Sequence, residues 1–127
     1  MNMVNCNCGS ARFYADCCLL VHQDRQAAIT AEQLMRARYT AFTRSLIDFL
    51  YDSFHPDSRR YQNKKEIAAW AQENKWMHLE IIQASTTTVE FKAHYLDKQF
   101  EPAVHHEKSR FKKDRGIWYY LDGRLLS

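Results

Sequence analysis

All four cysteines of this 127-residue chain lie between Cys6 and Cys18, as Cys6-x-Cys8, an eight-residue spacer, and Cys17-Cys18. Two close thiol pairs, each offered by one short turn and joined by a spacer long enough to bring them together, suit one tetrahedral metal ion. Zinc accepts four thiolates at about 2.3 Å in closed structural sites, and binding energy on the order of 10 kcal/mol can fold a segment that has no apolar core of its own. Gly9 supplies the freedom for a tight turn after the first pair, and its N–H and that of Ser10 can hydrogen-bond a ligating sulfur. The competing readings are two disulfides or four idle thiols. Met1 to Asn5 carries no basic residue and no apolar run follows, so nothing there resembles a secretory signal or an oxidising destination. A Cys17–Cys18 bridge would also be a strained vicinal one. For a reduced chain the cysteine arithmetic favours zinc.

The residues Cys6-x-Cys8-Gly9-Ser10, Tyr14, Cys17-Cys18 and His22 resemble the SEC-C motif, a small zinc-binding module also found at the carboxyl tail of the bacterial preprotein-translocation ATPase. The resemblance implies Cys6, Cys8, Cys17 and Cys18 as the metal ligands. Two positions depart from the motif: Ala11-Arg12 stands where a lysine pair is usual, and Leu19 where glycine often follows the last ligand. Neither removes a ligand, although fewer basic residues weaken the case for an acidic partner. His22 reads as an alternative or supporting ligand, or as a plain surface histidine one turn after Cys18.

The elements that must position this cluster follow it. Thr30-Ala-Glu-Gln33 has the form of a capping box, and Leu34, Met35, Ala37, Arg38, Ala41, Phe42 and Leu46 recur at three- and four-residue spacings. This predicts a helix from about Ala31 to Ser45. A second short helix is expected from Ile47 to about Phe54, ended by His55-Pro56 because proline disfavours helical geometry in the residue before it. Asn63-Lys-Lys-Glu66 opens a third helix carrying Ile67, Trp70 and Ala71. From Trp76 the period changes to two: Met77, Leu79, Ile81, then Val89, Phe91, Ala93, Tyr95, with further strands over about Val104 to Lys112 and Ile117 to Leu121, separated by an Asp114-Arg115-Gly116 turn. Helices followed by an antiparallel meander give an α+β domain with the helices on one face of the sheet.

Met35-Arg-Ala-Arg-Tyr39-Thr-Ala-Phe42, His55-Pro56, Val89 to Tyr95, His106 to Phe111 and Trp118 to Gly123 resemble the YchJ-type family of bacterial proteins, in which a SEC-C motif precedes an NTF2-like domain. The resemblance implies an NTF2-like cone, helices packed on a curved antiparallel sheet, over residues 26–127, with a small zinc knuckle over residues 1–25. It delivers fold and metal rather than an activity.

Composition agrees with one packed unit. The hydrophobic fraction is 46%, with seven Phe, seven Tyr and three Trp against only three Gly and two Pro. The longest apolar run, Cys17 to Val21, is far too short to cross a membrane, so a soluble cytoplasmic protein is expected. The net charge of +3 neither demands nor excludes nucleic acid. Its one concentration is Lys108, Arg110, Lys112, Lys113 and Arg115, read as a solvated strand edge and turn or as a weak basic patch for nucleic acid.

A curved sheet under helices leaves a pocket, the default place for a ligand. Glu107 and Ser109 share one strand face by period two, and Arg36, Arg38 and Tyr39 are the polar groups on the first long helix. Together with His55, an acid or base near neutral pH, they form the candidate pocket set. The competing reading is a buried structural pair between Glu107 and one arginine. His105-His106 puts two rings on opposite faces, and Trp70, Trp76 and Trp118 read as core or rim. No nucleophile–base pair or phosphate loop is recognisable, and a four-cysteine zinc site has no open position for an activated water. The expectation is therefore an adaptor, not an enzyme, using the knuckle to recognise a protein or ribonucleoprotein partner. Small-molecule binding or turnover in the pocket is the alternative, and a homodimer is possible on the family resemblance.

Overall fold

The computed structural model describes residues 4–126. Five short helices, α1 Cys18–Gln23, α2 Ala31–Thr43, α3 Ile47–Asp52, α4 Pro56–Arg59 and α5 Lys64–Glu73, precede four strands. The strands, β1 Lys75–Ala84, β2 Thr88–Leu96, β3 Pro102–Asp114 and β4 Ile117–Leu125, form one antiparallel sheet in sequence order. The helices cover its inner face, α2 lying against β1, β2 and β4. This is the α+β, NTF2-like arrangement expected from the sequence.

Helix α2 begins where its cap dictates. Thr30 Oγ1 accepts from Gln33 N–H at 3.1 Å, while Gln33 Oε1 accepts from Thr30 N–H at 3.3 Å, closing the reciprocal box. Leu34 and Ala37 are fully buried and Met35 and Tyr39 nearly so, because this helix meets the sheet on one side and the amino-terminal segment on the other. Asn63 caps α5 with its side chain, accepting from Lys65 and Glu66 N–H at 2.7 and 3.3 Å. Two helices lie outside the sequence-based expectation. One is α1, whose six residues are too few for a periodicity. The other is α4: His55-Pro56 does end α3, but Pro56 then starts a new turn, its missing N–H costing nothing at the first helical position.

The β3–β4 connection places Arg115 at φ 53° and Gly116 at φ 82°, two consecutive positive values that match the twist of a hairpin. β4 does not stop before Asp122-Gly123 but runs through them to Leu125. β3 lies between β2 and β4, so the Lys108–Arg115 run is not a strand edge. Lys108, Arg110 and Lys112 occupy the exposed face of an interior strand and Lys113 is exposed near its end; Arg110 makes paired bonds to Asp122 at 2.7 and 2.6 Å.

One buried cluster joins Cys6, Cys8 and Cys18 to Leu34, Ala37, Tyr39, Phe91, Phe111 and Trp118. The cysteine segment therefore shares its core with the helices and sheet.

Candidate metal centre and candidate pocket

A short hairpin carries the first cysteine pair. Asn5 bridges Phe13, Cys6 N–H donates to Arg12 C=O at 2.8 Å and Tyr14 N–H to Val4 C=O at 2.9 Å. Gly9 turns the chain at φ 81° and Ala11 follows at φ 65°. The second pair stands at the start of α1, so hairpin and helix end present all four sulfurs to one point. They lie within 4.8 Å of one another, with Cys8 and Cys17 Sγ 3.7 Å apart. A tetrahedron with bonds of about 2.3 Å has edges of roughly 3.8 Å, so the Cys8–Cys17 pair already has that spacing and the four thiols stand close enough for one metal ion to draw them together. Cys8 has no exposed surface, and Cys6 and Cys18 are buried.

The surroundings hold these sulfurs in place. Ser10 Oγ lies 3.2 Å from Cys17 Sγ and Thr40 Oγ1 lies 3.7 Å from Cys6 Sγ, the latter reaching across from α2. Thiol donation from Cys18 and Cys8 drives the Cys6 thiol far below its ordinary value, while the same contacts and burial push Cys18 up. Gly9 does not serve the sulfurs as expected: its N–H donates to Cys6 C=O at 3.2 Å. His22 is neither ligand nor plain surface residue. Its Nε2 donates to Ala37 C=O at 2.8 Å and its Nδ1 accepts from Tyr14 O–H at 2.7 Å, with Phe49 edge-on at 4.7 Å. It fastens the knuckle to α2.

Arg36 belongs here rather than in the pocket. It donates to Cys8 C=O at 2.7 Å and to Glu32 Oε2 at 2.9 Å. Burial works against its charge, yet these partners hold its pKa above the ordinary value.

The pocket is a cavity of about 330 Å³ between the helices and the inner sheet face, at the small end of the ligand-site range of roughly 300–1,000 Å³. Its walls are mainly apolar and aromatic, including Met35, Phe42, Ile67, Trp70, Trp76 and Phe91, with Arg38, Tyr39, Gln62, Glu66, His105, Glu107 and Tyr120 as polar members. Trp70 and Trp76 meet edge to face at 5.5 Å, and Trp70 lies 5.9 Å from the His105 ring.

Glu107 is the polar centre. His105 Nε2 lies 2.7 Å from its Oε1; Ser109 O–H and Tyr120 O–H donate to Oε2 at 2.5 and 2.6 Å. Burial pushes its carboxyl up, but these three hydrogen bonds outweigh burial and hold it below the ordinary 4.5. The expected Arg38–Glu107 pair does not form. Arg38 instead donates to Leu50 C=O at 3.1 Å and to Ser53 Oγ, and its guanidinium lies between the Tyr120 and Phe54 rings at 4.3 and 4.6 Å. Burial lowers its pKa to about 10. Tyr39 lines the cavity, and burial pushes its phenol up to about 12, so it is a neutral donor. Ser109 touches Glu107 from fully buried surroundings and does not itself line the cavity. His55 lies elsewhere, held by Asp114 Oδ2 at 3.1 Å and by Asp57 N–H at 3.2 Å; its cap at α4 faces away from the pocket.

The sequence reading missed His105 and Tyr120 as partners of Glu107. For His105 a signal existed: period two puts it on the same face as Glu107 and Ser109. For Tyr120 none did, because an irregularity between Arg110 and Phe111 resets the β3–β4 pairing.

Glu107 gives a pH signature. Its folded-state pKa lies below the unfolded value, so the stability it contributes is complete above about 4.5 and is lost as pH falls through the folded value. Denaturant midpoints measured between pH 6 and pH 3 should fall more steeply for the natural chain than for Glu107→Gln. Parallel curves would remove the anionic assignment.

The comparisons extend this geometry to known proteins. The family model described as YchJ, middle NTF2-like domain, matches residues 30–123. UPF0225 proteins of Vibrio vulnificus (strain CMCP6) and Geobacter sulfurreducens are 39% and 38% identical to this chain, over 94% and 93% of it and 74% and 77% of theirs. The solution structure of a SEC-C motif containing protein from Rhodopseudomonas palustris aligns with a TM-score of 0.85 at 32% identity, over 98% of this chain and all of that one. The crystal structure of a SEC-C motif containing protein from Psychrobacter arcticus gives 0.71 at 27% identity, over all of this chain and 78% of that one.

Proposed function

This chain belongs to the YchJ-like UPF0225 family, and from that premise we propose that it is a zinc-stabilised small-molecule-binding protein whose ligand enters the NTF2-like pocket. Zinc is the ion because four closely spaced cysteine thiols form a closed, soft donor set, and burial of the sulfurs makes the ion's role structural. The observation that carries the pocket reading is the cavity itself: about 330 Å³ of mainly apolar, aromatic-walled space around a few fixed polar groups, the usual constitution of a small-ligand site. The test is titration of the uniformly 15N-labelled protein with neutral bicyclic aromatic compounds. Shifts should concentrate at Trp70, Trp76 and Tyr39 and disappear in Ala93→Phe, which places a ring in the cavity, while the metal content stays at one zinc per chain. Shifts that survive Ala93→Phe would refute the pocket reading.

A second reading, an adaptor for a protein or ribonucleoprotein partner, is favoured by Phe13 and Leu20. These apolar side chains are exposed at the knuckle and line one shallow surface hollow with Arg12. Affinity capture should recover the same partner set with the natural chain and lose it with Phe13→Ser; equal recovery would end the adaptor reading.

A further inference from the structure

Among the polar side chains that line the cavity, His105 and Tyr39 each carry an atom with no described partner. His105 makes its hydrogen bond through Nε2, and no bond to its Nδ1, or to the Tyr39 hydroxyl, occurs among the described residues. Arg59 Nε is the one fully buried side-chain polar atom without a partner among those residues, so His105 Nδ1 and Tyr39 Oη both keep accessible surface. Both residues line the same cavity. Because Glu107 is an anion receiving three donors, His105 donates to it through Nε2, and Nδ1 is the ring nitrogen left without a described partner. A carboxylate thus orients an imidazole whose other nitrogen has no described partner, the arrangement a general base requires, and a neutral phenol, unable to act as a base itself, lines the same mainly apolar enclosure.

The chemistry left to this set is narrow. The described cysteines lie in the metal cluster, Ser109 is bonded to Glu107, and Arg38 is engaged by Leu50, Ser53 and two aromatic rings. Among the described residues that line the cavity there is no serine, threonine or cysteine to act as a nucleophile, and the Glu66 carboxylate lies on the exposed first turn of α5. A positioned base and a hydrogen-bond donor without a nucleophile can move a proton from carbon: the base takes it, and the donor meets the charge that develops on oxygen.

We propose that the pocket is a proton-transfer site for a small, largely apolar carbonyl compound, with His105 as base, Tyr39 as hydrogen-bond donor to the carbonyl oxygen and Glu107 as the positioning residue for His105. This rests on the pocket reading above. In the step, the bond between the α-carbon and its hydrogen breaks and the proton goes to His105 Nδ1. The electron pair forms a carbon–carbon double bond, and the carbonyl π pair moves to the oxygen held by Tyr39 O–H. Glu107 stabilises the imidazolium, and return of the proton to carbon completes an exchange or isomerisation with no other reactant.

The test uses the zinc-loaded full chain and 2-tetralone, a benzo-fused bicyclic ketone with acidic benzylic α-hydrogens, following hydrogen–deuterium exchange in deuterium oxide by NMR and binding by tryptophan fluorescence. Saturable exchange above the buffer rate is expected. His105→Gln should cut it at least ~100-fold, in line with a lost general base. Tyr39→Phe, which removes one oxygen and leaves the ring packed, should cut it about 100-fold, as for a lost oxyanion donor. Glu107→Gln should lower the saturating rate while half-saturation holds. Binding without saturable exchange, or exchange that persists in both His105→Gln and Tyr39→Phe, would overturn the proton-transfer assignment and leave the pocket reading standing. Absence of binding would overturn both.

Discussion

A Cys8→Ser chain should carry no bound metal after purification and should melt roughly 10 °C or more below the natural chain. Cys8 is fully buried, and replacing its thiolate by a hydroxyl removes one of four soft ligands from a closed site. Structural zinc supplies binding energy on the order of 10 kcal/mol to the folded state, against a total stability of about 5–15 kcal/mol for a domain. Loss of even ~3 kcal/mol lowers the melting temperature of a chain this size by roughly 10 °C. The effect should spread beyond the knuckle, because the sulfurs pack in the same cluster as Leu34, Ala37 and Tyr39. Hydrogen exchange should therefore quicken in α2 as well as in the first 25 residues. Atomic emission for zinc with calorimetry in parallel measures both quantities; an unchanged melting point in a metal-free Cys8→Ser chain would show that the ion does not support the fold.

Gly123→Ala should be the most disruptive single-methyl change near the pocket. Gly123 is paired with Ser109 across the sheet, and a Cβ there would run into the Glu107 carboxylate and come within 2.6 Å of Tyr120 Oη. The neighbours cannot yield cheaply, because the carboxylate is fixed by three donors and moving it strands His105, Ser109 and Tyr120. Overpacking of this kind costs about 1–3 kcal/mol, and the displaced donors add to that figure. The expected result is a lower denaturant midpoint, loss of the Glu107-dependent acid limb, and weaker binding of the bicyclic aromatic probes. If the midpoint and acid limb match those of the natural chain, the close approach of β4 to Glu107 is not a constraint.

The elements were legible where a single local rule decides them. Thr30 and Asn63 announce helices by side-chain capping, alternation from Trp76 onward announces strands, and four closely spaced cysteines announce a cluster of thiols able to hold a metal ion. The candidate pocket was only half legible. Arg36 and Arg38 were both candidates to meet the sheet from the first long helix, but residues two apart on a helix differ by about 200°. Arg38 can face the sheet only if Arg36 faces the knuckle, which is the observed outcome. The Glu107–arginine pair failed for a different reason: the buried guanidinium is met by Leu50 C=O and Ser53, from a helix whose placement on α2 no sequence period encodes. Tyr120 reaches Glu107 through a pairing irregularity, a feature of three-dimensional register. His55 entered the pocket set because an imidazole can act as acid or base near neutral pH; it instead serves as the cap of α4.

The segment between α3 and α4 has a further effect. Tyr120 N–H donates to Ser53 C=O at 2.9 Å and His55 N–H donates to Tyr120 C=O at 2.9 Å, so Phe54 bridges the outer side of β4 in parallel. On the opposite margin, β1 departs from regular pairing at Trp76/His78 and again at Ile81/Gln83, which leaves only His78 to Ile81 in unbroken register. A sheet grows into a fibre by adding strands to a long, flat, unsatisfied margin, and here one margin is occupied at its middle while the other is twisted at two points. Among the described residues, neither margin therefore offers another copy of this chain a regular backbone template along its whole length.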